Sequence, residues 1–201
     1  MQTLVELLPS SVVQGVFSFF FLGCTGWVLE TIQETLVRKQ FVNKGFFKGP
    51  FVLSHAIGGM LVSFIGSPFK AYPALVFLAG LVVCTCLEYS IAIFLERCFK
   101  VKCWDYTTYP HTKWCHYKGR ICLTISLFFG IVTLFVVYVY GDFIRGVAAL
   151  MGTYLVLVDA FLLTALLIDG VFTCTKLLRA KKAGIKIRGY AVFSDNLILR
   201  R

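Results

Sequence analysis

The chain has 201 residues, of which 58% are hydrophobic and only 15% charged, with a mean hydropathy of +0.81 and a formal net charge of +10. Soluble domains carry about 25% charged residues, and one of this size leaves roughly a third of its unfolded surface in water, so this composition excludes a soluble globular protein. It implies an all-α fold, a polytopic bundle of about five transmembrane helices at 11–37, 51–69, 73–99, 120–140 and 146–175. These form one membrane domain over 1–178, followed by a basic tail over 179–201.

The stretch Met1 to Ser10 contains Glu6 and lacks Lys and Arg, so it does not read as a cleavable signal peptide. The first segment has an uncharged core from Val12 to Leu29. At ~1.5 Å per residue it reaches about 27 Å, close to the ~30 Å of a hydrocarbon core. It ends in Glu30 and Glu34, four residues apart on one helical face. A basic loop follows and turns at Gly49-Pro50. The second segment is rich in Gly and Ser and carries His55; it either spans or dips in and returns. The third is apolar as far as Leu87 and then carries Glu88 and, two turns later, Glu96. The fourth is an uninterrupted apolar run. The fifth is interrupted by Asp159 near its middle and Asp169 near its end.

Eighteen of the twenty Lys and Arg residues lie in the loops after segments one and three and in the tail; only Lys70 and Arg145 fall in the alternate connections. The positive-inside rule therefore places the N-terminus outside and the C-terminus in the cytoplasm, in a multi-pass protein of the plasma membrane. If the second segment re-entered instead of crossing, this sorting would fail, so crossing is favoured. The tail suits anionic lipid, at ~1 kcal/mol per basic residue near the surface, and no nucleic-acid partner is needed to explain it. The eight cysteines lie in apolar runs or in the loop placed inside, where reduced thiols are expected.

With this orientation, Glu30, Glu34, Glu88, Glu96, Asp105 and Asp169 all fall at or near the cytoplasmic ends of their segments, Arg120 opens the fourth segment there, and His55 sits about one turn into the second. A carboxylate at a helix centre costs roughly 2.5 to 3.5 kcal/mol, so Glu88 and Asp159 mark a polar cavity. Arg120 is a natural bidentate partner for Glu88. Glu96 with Lys100, and Glu34 with Arg38, also read as ordinary end-of-helix pairs. His55 reads first as a satisfied packing residue, although its pKa near neutrality would also suit proton coupling. The loop's Cys and His residues lack regular ligand spacing, so neither a metal nor a cofactor is expected. Its aromatics, Trp104 and Tyr106 among them, suit the headgroup level.

Three motifs carry a family resemblance: Gly26-Trp27-Val28-Leu29-Glu30 with Phe41-Val42-Asn43-Lys44-Gly45-Phe46 and Gly49-Pro50; Leu87-Glu88-Tyr89 with Glu96; and Trp104-Asp105-Tyr106 with Gly119-Arg120-Ile121-Cys122-Leu123 and Gly130. In this order they resemble the type IV ABC-transporter permeases, a family that also looks related to a small group of vertebrate transmembrane proteins. The chain departs from the family at Leu53-Ser54-His55-Ala56, where His55 replaces an expected tyrosine, and in a longer loop between Tyr106 and Gly119. The resemblance implies a transport component, and the polar residues read along the chain give it a cytoplasm-facing cavity lined by Glu30, Glu34, Asn43, His55, Glu88, Tyr89, Glu96, Trp104, Asp105, Tyr106, Arg120 and Asp159. The sequence contains no G-x-x-x-x-G-K-[ST], so a separate cytoplasmic ATPase would supply ATP-driven work. Five spans are few for a complete path, which argues for a homo-oligomer. Two other readings stay open: a non-catalytic scaffold subunit, and an intramembrane enzyme using a divalent metal on lipid headgroups.

Overall fold

A computed structural model describes residues 10–44, 46–100, 102, 104–107 and 112–182. Helix α1 is Ser10–Arg38, α2 is Leu53–Gly66 prolonged by a 3-10 turn at Ser67–Phe69, and α3 is Pro73–Phe99. A two-stranded antiparallel hairpin follows, β1 His116–Tyr117 and β2 Ile121–Cys122, pairing His116 with Cys122 and Tyr117 with Ile121. Then come α4 Leu123–Phe135, a π turn at Val136–Tyr140, α5 Gly141–Met151 and α6 Tyr154–Lys182.

Four helices are long and apolar enough to cross a membrane: Ser11–Leu36, Pro73–Phe99, Leu123–Met151 and Tyr154–Lys182. Leu53–Phe69 is shorter. Their outer faces are apolar where a soluble protein would be polar, with Val82, Phe94, Ile131, Phe161 and Phe172 all exposed. The connection expected at 141–145 is instead helical, and α4, the π turn and α5 run on as one element. Its polar residues are accommodated because Asp142 and Arg145, three apart, pair on the exposed surface. The chain breaks at Gly152, whose φ of +52° and ψ of −129° suit a residue without a Cβ.

Pro73 opens α3 from a position that needs no N–H. Lys100 closes it in the left-handed conformation, its N–H returning to Leu95 O. The helices alternate in direction. Gly59 faces Leu22 and Gly26 faces His55, so α2 runs antiparallel to α1; Gly66 faces Val76 and Gly58 faces Leu87, so α3 runs antiparallel to α2. Tyr138 and Tyr140, both in the π turn, donate to Lys70 O at 2.6 Å and Ser18 O at 3.3 Å. These bonds tie α4 to the connection between α2 and α3 and to α1.

One core joins Phe17 and Leu22 to Val62, Val136, Ile144 and Leu155. A second joins Phe20, Phe47, Phe51 and Ala56, and so brings the 41–52 segment in between the helices. The Phe46 and Phe99 rings meet at 6.4 Å, and Asp169 of α6 accepts from Lys48 and Gly49. The loops after α1 and α3 therefore share one end of the bundle, its basic end.

Candidate functional site

Irregular backbone among apolar helices is tolerated where its polar groups find partners, and the 41–52 segment has them. Val42 N donates to Thr35 Oγ1 at 3.2 Å and Lys44 N to Thr31 Oγ1 at 3.4 Å. Lys48 N and Gly49 N donate to the two oxygens of Asp169 at 3.0 and 2.6 Å, and Val52 N donates to Gly23 O at 3.0 Å. Asn43 completes the set, accepting from Trp27 Nε1 at 2.6 Å and donating to Lys48 O at 2.9 Å.

Held in this way, the segment sets Lys44 between the two acids of α1. Its ammonium lies 3.5 Å from Glu34 and 3.9 Å from Glu30. Glu34 is buried. Across the cluster, His55 Nδ1 lies 3.3 Å from Glu30 Oε1, close enough to pair if protonated, though not aligned as a hydrogen bond. Gly26 makes this approach possible: a Cβ there would stand 2.4 Å from that of His55.

Glu88 joins from α3. Its Oε1 accepts from Tyr106 Oη at 2.5 Å, while its Oε2 is buried with no hydrogen-bond partner among the described residues. Glu30 and Lys44 both lie within electrostatic reach of it. Burial, and after it the charge of Glu88, pushes the Tyr106 phenol far above its ordinary value, so Tyr106 acts as a donor throughout the physiological range.

The Trp104-Asp105-Tyr106 motif holds that phenol in place. Tyr106 N donates to Gly119 O at 3.0 Å and Trp104 Nε1 to Arg120 O at 2.8 Å, fastening the loop to the hairpin. Asp105 turns inward on its own loop, taking Lys102 Nζ at 2.5 Å and Thr107 N and Oγ1 at 3.1 and 2.7 Å. Burial lifts its carboxyl, but these bonds outweigh it and hold the pKa below the usual value.

The expected cavity residues thus divide into two groups. Glu30, Glu34, His55, Glu88 and Tyr106 gather around Lys44, with Asn43 and Trp27 behind the loop. Arg120 does not pair with Glu88; it grips Glu96 instead, Nε at 3.1 Å from both carboxylate oxygens and Nη2 at 2.5 Å from one. Glu88 and Glu96 are eight residues apart, about 12 Å along the helix, and the hairpin carries Arg120 to the helix end. Glu96 with Arg120 and Tyr89, whose ring lies tilted at 48° to that of Tyr117 with centroids 6.0 Å apart, belongs to an outer cleft. Asp159 stands apart in α6, buried, with neither oxygen hydrogen-bonded among the described residues. Cys103, Tyr109, His111 and most of the basic tail lie outside the described residues.

Residues 17–174, more than three quarters of the chain, match the family described as Putative ABC-transporter type IV. The chain belongs to this family. No curated protein and no solved structure matches it significantly. Membership, together with four long apolar helices, makes it a transport-related, multi-pass integral membrane protein.

Within this family member, sequence reasoning missed Lys44 and Asp169. Lys44 was absorbed into the count of loop charges; two acids on one helical face beside a loop lysine were the available signal. Asp169 read as an interruption of an apolar run, yet it serves as the acceptor for two loop amides.

At the site's outer rim, Cys115 and Cys122 bring their sulfurs to 2.7 Å, both as free thiols. The hydrogen bond from Cys122, then those from Thr124, draw the Cys115 pKa down to about 7. Alkylation of Cys115 is expected to reach half its maximal rate near pH 7, against about 8.5 for an ordinary thiol. Cys122→Ala, which removes the donor, should move that midpoint upward, as followed by mass spectrometry of the labelled peptide; an unmoved midpoint would contradict the assigned cause.

Proposed function

We propose that this protein is the membrane-spanning component of a transport system and passes a cationic solute through the Glu30, Glu34, Glu88 cluster at its cytoplasmic end. The buried Oε2 of Glu88, without a hydrogen-bond partner among the described residues, is the observation that carries this reading. Glu30 and Glu34 flank Lys44 and Glu88 lies within electrostatic reach of it, and a carboxylate inside a span is too costly to be kept without use or partner. A phenol from an outer loop covers it, which suits a site opened by movement of that loop.

The distribution of Lys and Arg supports an outside N-terminus, a cytoplasmic basic end and a plasma-membrane location. The short α2 is taken as a crossing, supported by its antiparallel packing against both α1 and α3. Energy would come from a separate ATPase docked at the basic end, and the path would be completed by further copies of the chain.

Membrane vesicles from cells that make the protein retain any partner and provide the test. Uptake of labelled monovalent, divalent and organic cations is expected to fall at least several-fold in Glu88→Gln. Equal uptake by wild type and Glu88→Gln, with only the melting temperature lowered, would replace transport through this site with the scaffold reading.

A further inference from the structure

The outer cleft differs in character from the acidic cluster. It is an open cleft of about 370 Å³ between the end of α3 and the hairpin, lined by Tyr89, Ile93, Glu96, Arg97, Lys100, Lys118 and Arg120. Four cations converge on it from two separate elements against one carboxylate, and that carboxylate is already held by Arg120. Among the described residues no acid pairs with Arg97, Lys100 or Lys118, and all three are exposed. The Glu96 clamp uses Nε and Nη2 of Arg120 and leaves Nη1 without a hydrogen bond among the described residues, on a guanidinium fixed in orientation.

The positive-inside rule accounts for how many basic residues lie on this side, but not for their convergence on one concave surface around a clamped guanidinium. The walls are amphipathic. Tyr89 and Ile93 form the inner side, and the exposed Phe94 follows on the same helix. We infer that this cleft binds a phosphate group, that of an acidic phospholipid headgroup, whose acyl chains would continue along the apolar outer face of α3. Phosphate suits the site because it accepts bonds from several cations at once and matches the guanidinium geometry. This site is distinct from the tail, which would attract anionic lipid only as a diffuse charge.

The test uses the full-length protein in a non-ionic detergent with three radiolabelled probes: dioctanoyl phosphatidylglycerol, dioctanoyl phosphatidylcholine and inorganic phosphate. Saturable binding of phosphatidylglycerol, but not phosphatidylcholine, is expected. Lys100→Gln with Lys118→Gln should weaken it about 30-fold, from ~1 kcal/mol per basic residue at the surface, and Arg97→Gln alone about fivefold. Lys181→Gln with Lys182→Gln in the tail should leave it unchanged. Inorganic phosphate that binds as tightly as phosphatidylglycerol, and is lost in the same cleft variants, would keep the phosphate site but assign it to a soluble ligand. No saturable binding of either anion, or equal weakening by the cleft and tail variants, overturns the inference. Arg97→Gln serves alone if the double variant fails to fold.

Discussion

Gly80→Ala is expected to destabilise the protein by about 2 to 3 kcal/mol, because an added methyl at this position has nowhere to go. A Cβ on Gly80 would stand 2.0 Å from Thr133 Oγ1 and 2.4 Å from Thr133 Cβ. Thr133 is fully buried, its hydroxyl donating to Phe129 O at 2.8 Å, so it cannot swing aside. The contact lies in the most extensive helix pairing of the bundle, between α3 and α4, where small residues allow helices within lipid to approach closely. Thermal unfolding in detergent measures the loss. Thr133→Gly moves the gap to the other helix, so the double variant should be more stable than the sum of the single changes by at least about 1 kcal/mol. A melting temperature indifferent to Gly80→Ala would mean that the two helices do not touch there.

Asp169→Ala is expected to cost about 2 kcal/mol, since it strands the part-buried Gly49 N–H, at roughly 1 to 3 kcal/mol for an unmet donor, while the exposed Lys48 N–H can turn to water. The N–H groups of Lys48 and Gly49 lose their acceptors, and Thr173 Oγ1, 3.2 Å from Asp169, loses one as well. Asp169→Asn retains one acceptor oxygen and should cost about half as much. The damage should be local first: hydrogen exchange at the Lys48 and Gly49 amides should speed up while that of α4 is unchanged. Uniform acceleration throughout the bundle would instead make Asp169 part of the general core.

The bundle itself was legible in the sequence because long apolar runs have few alternatives in a lipid solvent. The element boundary at 141–145 was not. Gly141, Asp142 and Arg145 have the composition of a loop, and only the pairing of Asp142 with Arg145 along one exposed helical face shows how a helix tolerates them. For the polar residues, charge and spacing identified the acids but not their partners. Arg120 and Glu88 looked complementary, yet the two turns of helix between Glu88 and Glu96 decide which acid the hairpin's guanidinium can reach. The fate of Lys44 depended on a loop folding back between helices, a long-range event set by Asp169 more than a hundred residues away. No local pattern announces it.

The hydrogen bond from Tyr106 to Glu88 has a mechanical side. The phenol is mounted on a loop whose backbone and indole are both fastened to the hairpin at Gly119 and Arg120, so the hairpin works as a lever with the carboxylate at its short arm. A load on the bundle's outer rim that shifted the hairpin by about an ångström would be felt first at the bond between the phenol and Glu88. A push applied outside the bilayer would thereby reach the interior as the loss of one hydrogen bond.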